Sequence, residues 1–168
     1  MLDQRINTFI HPIMSSLANH IPRQISANII TLAGFVIGSM VIPLLWMKFY
    51  YLAIAVILVN RFFDGLDGAV ARKYGTTNLG GYLDTTCDFI FYSVVIMGFA
   101  LADPEKNSIA GVFLIFSFIG TGSSFLAFAA AAEKQGISSD VHGLKAFYYL
   151  GGLTEGTETI LFFVIICM

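Results

Sequence analysis

The sequence has 168 residues, of which 57% are hydrophobic and only 12% are charged, and its formal net charge is −2. A soluble domain carries about 25% charged residues, and a chain of this length cannot enclose so much apolar surface in a core of its own. The mean hydropathy of +0.78 therefore indicates that lipid is the solvent of this protein. The slight negative charge and the lack of a basic run argue against nucleic acid as a partner.

The first 27 residues predict a helix that lies on the membrane surface. Their apolar side chains recur at helical spacing, with polar side chains between them. The apolar set is Phe9, Ile10, Ile13, Met14, Leu17 and Ile21. We therefore divide the chain into an N-terminal segment, 1–27, and a transmembrane domain, 28–168. A loosely ordered tail is the alternative for the first segment.

Five apolar segments follow, and each is about 20 residues or longer, the length that a helix needs to cross roughly 30 Å of hydrocarbon. None of them alternates apolar and polar residues, which favours helices over strands. The segments are 28–47, 50–70, 79–101, 108–132 and 144–168. The predicted fold class is an all-α integral membrane protein with an N-terminal interfacial amphipathic helix and five transmembrane helices.

Lysine and arginine residues predict the orientation, because cytoplasmic loops are enriched in them. On one side of the predicted membrane lie Arg5, Arg23, Arg72, Lys73, Lys134 and Lys145, and on the other lie Lys48 and Lys106. We therefore expect a multi-pass protein of the cell membrane whose N-terminus and second and fourth links face the cytoplasm.

Four aspartates lie inside the predicted membrane helices, where each carboxylate costs a few kcal/mol. Asp64 and Asp67 are three residues apart and share one helix face, and Asp84 and Asp88, four residues apart, share a face of the next helix. The turn between them centres on Thr76. An antiparallel hairpin thus brings the two pairs to matching depths, about 12–18 Å from the turn.

Such crowded carboxylates must be protonated or neutralised by a cation. Oxygen ligands suit a hard divalent ion such as Mg²⁺ or Mn²⁺. Two ions between the helices would stabilise the attacking and leaving oxygens of a phosphoryl transfer. The nearby residues suit a phosphate ligand, since Arg72 can bind a diphosphate through two hydrogen bonds. Gly68, Ala71 and Gly80 leave room for it, although close helix packing also explains Gly68.

Together these residues resemble the signature of the CDP-alcohol phosphotransferase family. That signature is Asp, two residues, Asp-Gly, two residues, Ala-Arg, seven or eight residues, Gly, three residues, Asp, three residues, Asp. The sequence matches all eight fixed positions within 25 residues: Asp64, Asp67, Gly68, Ala71, Arg72, Gly80, Asp84 and Asp88. The flanking hydropathy is also similar along the whole chain.

The resemblance implies the role of each signature aspartate. Asp64, Asp67 and Asp84 would bind the metal. Asp88 would also contact metal and act as the general base on the acceptor hydroxyl. The implied reaction transfers a phosphoalcohol group, such as the phosphatidyl group of CDP-diacylglycerol, to an alcohol acceptor and releases CMP, as in phospholipid biosynthesis.

The resemblance also implies which residues bind the CDP-alcohol. Gly68 and Arg72 would hold the diphosphate, with Ala71 and Gly80 in the same site. The run from Asn28 to Thr31 is similar to a family pattern that opens the first span, so both of these residues are expected nucleotide contacts. Thr77, in the turn, is a further candidate.

The family implies six transmembrane helices and a homodimer. The last visible span ends at Met168 without a polar flank, so we expect the natural chain to continue into a sixth helix. Glu155 and Glu158 lie inside that span, where carboxylates are functional by default. They would bind the acceptor or pair with Arg61 across helices. Lys145 would contact an acceptor phosphate or anchor the helix end at the interface.

Two other function classes use carboxylates in a membrane. One is an intramembrane, metal-dependent prenyltransferase, which lacks the Asp-Gly, two residues, Ala-Arg core. The other is a divalent-cation transporter, which gives no reason for Arg72 beside the aspartates. Release of CMP would separate both from a CDP-alcohol phosphotransferase.

Overall fold

The computed structural model of the protein describes residues 2–134 and 156–168. Within these ranges the regular structure is entirely helical. The helices are α1 (Leu2–His20), α2 (Ala27–Ser39), α3 (Val41–Trp46), α4 (Tyr50–Tyr74), α5 (Asn78–Ala102), α6 (Pro104–Lys134) and α7 (Gly156–Cys167). The predicted all-α membrane fold is confirmed.

Three stretches of the described chain are long and apolar enough to cross a membrane: Ala27–Trp46, Asn78–Ala102 and Pro104–Ala132. Helix α4 has 25 residues, as many as α5, but it carries more charge. Its charged side chains are Arg61, Asp64, Asp67, Arg72 and Lys73. The predicted span 144–168 lies partly outside the described residues, and its described part contains α7, a shorter apolar helix of 12 residues.

The predicted first span, 28–47, is confirmed as Ala27–Trp46. Within it the helix is divided at Met40, because Pro43 has no N–H to donate to the Ser39 carbonyl and the helix tightens there. One predicted boundary was wrong. The polar link expected at 103–107 belongs almost entirely to α6. Pro104 suits the first position of a helix, and an Asp103 side-chain oxygen accepts a hydrogen bond from the Lys106 N–H at 3.3 Å.

Helices α2 and α4 pack closely through two glycines, Gly34 and Gly38. A Cβ atom at Gly34 would lie 2.5 Å from Cβ of Phe63, and one at Gly38 would lie 2.7 Å from Nδ2 of Asn60. The buried Asn60 side chain donates a hydrogen bond to the Gly34 carbonyl at 3.0 Å. The backbone of α2 thus contacts side chains of α4 directly, and these contacts fix α2 beside the aspartates of α4.

The N-terminal helix is fastened to the end of α4. Nζ of Lys73 donates hydrogen bonds to the carbonyls of Ala18 and Asn19 at 3.0 and 3.3 Å, and the Tyr74 hydroxyl donates to the carbonyl of Ile21 at 2.7 Å. The Ala18 and Asn19 carbonyls lie in the last turn of α1 and the Ile21 carbonyl lies just beyond it, so the two side chains of α4 hold this helix end. The position of α1 on the membrane surface stays a prediction.

An aromatic cluster centred on Tyr92 holds α6 and α7 against α5. The Tyr92 ring lies 5.5 Å from the Phe118 ring of α6 and 6.2 Å from the Phe163 ring of α7. Tyr92 and Phe163 are buried, and tilted ring pairs at these distances are favourable. The cluster places the start of α7 near the middle of α5.

We expect Gly34→Ala to destabilise the protein by about 1–3 kcal/mol, because its new methyl group would overlap Phe63 Cβ, which cannot move without its helix. Thermal unfolding in detergent measures the effect. Gly120→Ala is the matched control, since a Cβ atom at Gly120 meets nothing within 4 Å. An unchanged melting temperature in Gly34→Ala would contradict the close α2–α4 contact.

Candidate active site

The turn between α4 and α5 sets the relative position of the two aspartate pairs. Gly75 ends α4 with φ of 114°, a conformation that glycine adopts without strain. Thr77 caps α5, because its Oγ1 accepts a hydrogen bond from the Gly80 N–H at 3.0 Å. With only three residues between the helices, α4 and α5 form the expected hairpin.

All four signature aspartates line one narrow polar cleft between α2, α4 and α5. Oxygens of Asp64, Asp67 and Asp84 lie within 4.8 Å of one another. Asp67 is buried and Asp84 is exposed, so the cluster reaches from the helix interface to the open side of the cleft. The lining residues are Thr31, Gly34, Phe35, Asn60, Arg61, Asp64, Asp67, Asp84, Cys87 and Asp88.

The converging aspartates fit a divalent cation. Their donor atoms are all carboxylate oxygens, the ligands that Mg²⁺ and Mn²⁺ prefer. Three carboxylates with oxygens within 4.8 Å repel one another strongly unless a cation lies between them. Asp64, Asp67 and Asp84 are therefore the residues that would hold the metal.

Thr31 contacts one of the signature aspartates, which the sequence did not predict. Its hydroxyl lies 2.5 Å from Oδ2 of Asp67 and 3.1 Å from the Ala27 carbonyl, and its single proton serves one of them at a time. Thr31 thus orients a metal-ligand candidate from α2. A direct nucleotide contact by Thr31 stays a prediction.

Asp88 lies in the cleft but differs from the other three aspartates in its partners. Its Oδ1 lies 2.6 Å from Nη2 of Arg61, and its Oδ2 accepts a hydrogen bond from the Tyr92 hydroxyl at 3.5 Å. Both carboxylate oxygens therefore face donors of the protein. The predictions that Asp88 binds metal and acts as the general base are compatible with its position at the cleft.

The sequence analysis missed the role of Arg61 at this site, since it treated the residue only as a partner of Glu155 or Glu158. In the structure Arg61 forms ion pairs with Asp88 and, at 3.6 Å, with Asp64. A signal was available, because Arg61 is a charged residue inside an apolar stretch, three residues before Asp64. Only the packing of α5 on α4 reveals its partner.

Arg72 and Gly68, which the sequence assigned to the diphosphate, lie together on α4. A Cβ atom at Gly68 would lie 3.2 Å from Nη1 of Arg72. The guanidinium group thus lies over the glycine, and a larger residue would displace it. Arg72 is exposed and lies between Asp67 and the turn on α4. Ala71 precedes it, and its carbonyl accepts a hydrogen bond from Gly75 at 2.9 Å.

Three other predicted nucleotide contacts also come together near the turn. A Cβ atom at Gly80 would lie 3.0 Å from Oγ1 of Thr77 and 3.2 Å from Oδ1 of Asn28. Asn28 comes from the first turn of α2, and Thr77 and Gly80 from the start of α5. The glycine therefore leaves space between two polar side chains beside the turn, one helical turn before the exposed Asp84.

The acceptor candidates are described only in part. Glu155 and Lys145 lie outside the described residues. Glu158 lies in the first turn of α7 and is partly buried. The neighbouring Gly156 would bring a Cβ atom to 3.1 Å from the Tyr92 hydroxyl. The start of α7 thus reaches the side chain that donates to Asp88.

Comparison with known proteins agrees with this arrangement. The family model described as CDP-alcohol phosphatidyltransferase matches residues 24–168, which include every aspartate of the cleft. The chain belongs to the CDP-alcohol phosphatidyltransferase family. This membership supports a membrane transferase of phospholipid head groups over the prenyltransferase and transporter alternatives.

Relatives of the chain include the inner membrane protein YnjF of Escherichia coli (strain K12), which is 50% identical over 100% of this chain and 82% of its own length. An archaetidylinositol phosphate synthase of Methanothermobacter thermautotrophicus is 33% identical over 93% of this chain and 70% of its own. One of Pyrococcus horikoshii is 31% identical over 56% of this chain and 51% of its own. No solved structure matches the chain.

We expect Asp67→Asn to weaken binding of Mn²⁺ by at least about tenfold, because it removes charge from the most buried ligand candidate. Titration of the purified protein, followed by Mn²⁺ electron paramagnetic resonance, measures this.

Asp103→Asn is the matched control for that titration. Asp103 lies at the opposite end of α5, 3.1 Å from Nζ of Lys106, whose hydrogen bond lowers the pKa of the Asp103 carboxyl. Its substitution should leave Mn²⁺ affinity unchanged. Equal losses in the two variants would contradict a metal site in the cleft.

Proposed function

We propose that the protein transfers a phosphatidyl or similar phosphoalcohol group from a CDP-alcohol, such as CDP-diacylglycerol, to an alcohol acceptor and releases CMP. The observation that carries the proposal is the convergence of Asp64, Asp67 and Asp84 in one cleft of a family member. The reaction belongs to phospholipid biosynthesis.

The proposed place of the CDP group is at the ends of α4 and α5 nearest the turn between them. The Arg72 guanidinium, lying over Gly68, binds the diphosphate through paired hydrogen bonds. Asn28 and Thr77 offer polar atoms to the nucleotide on either side of Gly80, and Ala71 leaves room beside Arg72. A lipid tail stays in the bilayer along the apolar helices.

Deeper in the cleft, Asp88 is the proposed general base. It takes the proton of the acceptor hydroxyl as the acceptor oxygen forms its bond to phosphorus, and the bond from phosphorus to the CMP oxygen breaks. Asp64, Asp67 and Asp84, together with Asp88, would hold Mg²⁺ or Mn²⁺, proposed as two ions, and the metal would supply charge neutralisation at the phosphates.

The acceptor is proposed to enter beside α7. Glu158 lies in the first turn of this helix, whose first residue, Gly156, lies close to the Tyr92 hydroxyl. Glu155 and Lys145 precede the helix in the sequence. Two relatives are named archaetidylinositol phosphate synthases, so inositol phosphate belongs in a test panel with glycerol phosphate, serine and inositol. We further propose that the protein is a homodimer, as the family resemblance implies.

The decisive experiment is CMP release from CDP-diacylglycerol by the purified protein with Mg²⁺ or Mn²⁺ and this acceptor panel. We expect metal-dependent release with one acceptor and a loss of about 10²–10⁴-fold in Asp88→Asn, which keeps the shape of the base but not its proton affinity.

Asp103→Asn, outside the cleft, should keep full activity in the same assay. Metal-dependent release that Asp88→Asn leaves intact would contradict the assignment of the base. No release with any acceptor or with any other CDP-alcohol would overturn the proposed function itself.

We also propose that the cleft faces the cytoplasm. Arg72 and Lys73 directly precede the turn between α4 and α5, and positive residues are enriched in cytoplasmic loops. The link between α5 and α6 would face the opposite side.

Labelling of single cysteines with a membrane-impermeant maleimide tests this orientation. Thr76→Cys should react in inside-out vesicles and Glu105→Cys in right-side-out vesicles. Both positions are exposed: Thr76 lies in the turn between α4 and α5, and Glu105 lies in the first turn of α6. The unsubstituted protein, whose cysteines Cys87 and Cys167 lie in α5 and α7, gives the background labelling. The reversed pattern would place the cleft on the outer side.

A further inference from the structure

Arg61 is a charged residue to which the proposed reaction gives no task. Its side chain is 18% exposed and lies one helical turn before Asp64, on the side of the cleft away from the turn. Arginines inside membrane helices are rare and usually functional. Arg72 follows Asp67 on the same helix, so along α4 the two cations flank Asp64 and Asp67.

Neutral neighbours fix the position of the Arg61 guanidinium. Oδ1 of Asn60 accepts hydrogen bonds from its Nε at 3.1 Å and its Nη2 at 2.7 Å. Asn60 is held in turn by its hydrogen bond to the Gly34 carbonyl. The rings of Phe91 and Tyr92 lie 5.2 and 5.7 Å from the guanidinium carbon, close enough for cation–π attraction. The cation is therefore held in place without help from the carboxylates.

From this fixed position Arg61 links the two helices that carry the aspartates. Nη2 lies 2.6 Å from Oδ1 of Asp88 on α5, and Nη1 lies 3.6 Å from Oδ2 of Asp64 on α4. Opposite charges at these distances attract strongly where water is scarce. One cation thus offsets part of the repulsion within the cluster and limits the positions that Asp88 can adopt.

We propose that Arg61 is a positioning residue and the internal counter-cation of this cleft. It holds Asp88 at the deep end of the site, and it keeps the aspartates of α4 and α5 together when no divalent ion is bound. The first part rests on the proposed function, because it concerns the base of that reaction. The second part concerns the charges alone.

Binding of an acceptor phosphate by Arg61 is the competing role, and the geometry favours positioning. Nε and Nη2 already donate to Asn60 and Asp88, and Nη1 faces Asp64. A phosphate would have to displace a carboxylate from the guanidinium. The two roles differ in what removal of the arginine does to the protein without substrate.

The test compares thermal midpoints of the purified protein in lipid nanodiscs, in chelator and in saturating Mn²⁺. We expect Arg61→Met to lower the midpoint in chelator by an amount on the order of 5–10 °C, because it leaves Asp88 unpaired. Mn²⁺ should recover more of the midpoint in this variant than in the unsubstituted protein. Arg72→Met, which removes an exposed guanidinium, should change the midpoint in chelator little.

A double variant separates charge from packing. Adding Asp88→Asn to Arg61→Met should restore much of the midpoint in chelator, since the unpaired carboxylate is then gone. If Arg61→Met does not fold, Arg61→Lys and the double variant carry the test. The lysine variant keeps the charge but not the paired geometry, so its midpoint should fall less. A double variant as unstable as Arg61→Met, or equal midpoints for Arg61→Met and the unsubstituted protein, would overturn the counter-cation role.

The CMP assay tests the positioning role. We expect Arg61→Lys to lower kcat about tenfold or more while KM for the acceptor stays within about twofold. A raised acceptor KM with unchanged kcat and an unchanged response to Mn²⁺ would overturn the proposal in favour of acceptor binding. If the unsubstituted protein releases no CMP, the proposed function fails, whereas the midpoint comparison still decides the role of Arg61.

Discussion

Four carboxylates that face each other between membrane helices repel one another, and the architecture of α4 and α5 depends on how that repulsion is offset. The ion pair between Arg61 and Asp88 joins the two helices at 2.6 Å, deep in the cleft. Toward the turn, Asp64, Asp67 and Asp84 converge as candidates to hold a divalent ion. The protein thus combines the fixed positive charge of Arg61 with carboxylates that would hold an exchangeable divalent ion.

The surrounding elements contribute through contacts that keep this hairpin in register. Helix α2 approaches α4 through Gly34 and supplies Thr31 as a partner of Asp67. Helix α1 is capped by Lys73 and Tyr74 at the end of α4. Each contact uses a side chain within a few turns of the aspartates, so packing and site geometry are coupled. Substitutions in the packing are therefore expected to change metal binding as well as stability.

Membership in the CDP-alcohol phosphatidyltransferase family explains why the costly aspartates are present. Transfer of a phosphoalcohol group to an alcohol builds up negative charge at the phosphate and the leaving oxygen, which oxygen-ligated divalent ions would neutralise. A membrane location suits a donor whose lipid tail stays in the bilayer. Under the proposed function, the charges that would destabilise an ordinary membrane helix are the ones that hold the metal.

The sequence by itself determined the helical membrane fold, the hairpin of α4 and α5, and the helix faces on which the four aspartates lie. It could do so because hydropathy and helical spacing are local properties. The family resemblance implied that Gly68 and Arg72 act together, and the structure places the Arg72 guanidinium over Gly68. The break at Met40, the Thr31–Asp67 hydrogen bond and the Arg61–Asp88 ion pair were decided by the tertiary structure. The last two contacts join residues on different helices, and the rotation of each helix about its axis depends on packing partners such as Gly34 and Tyr92.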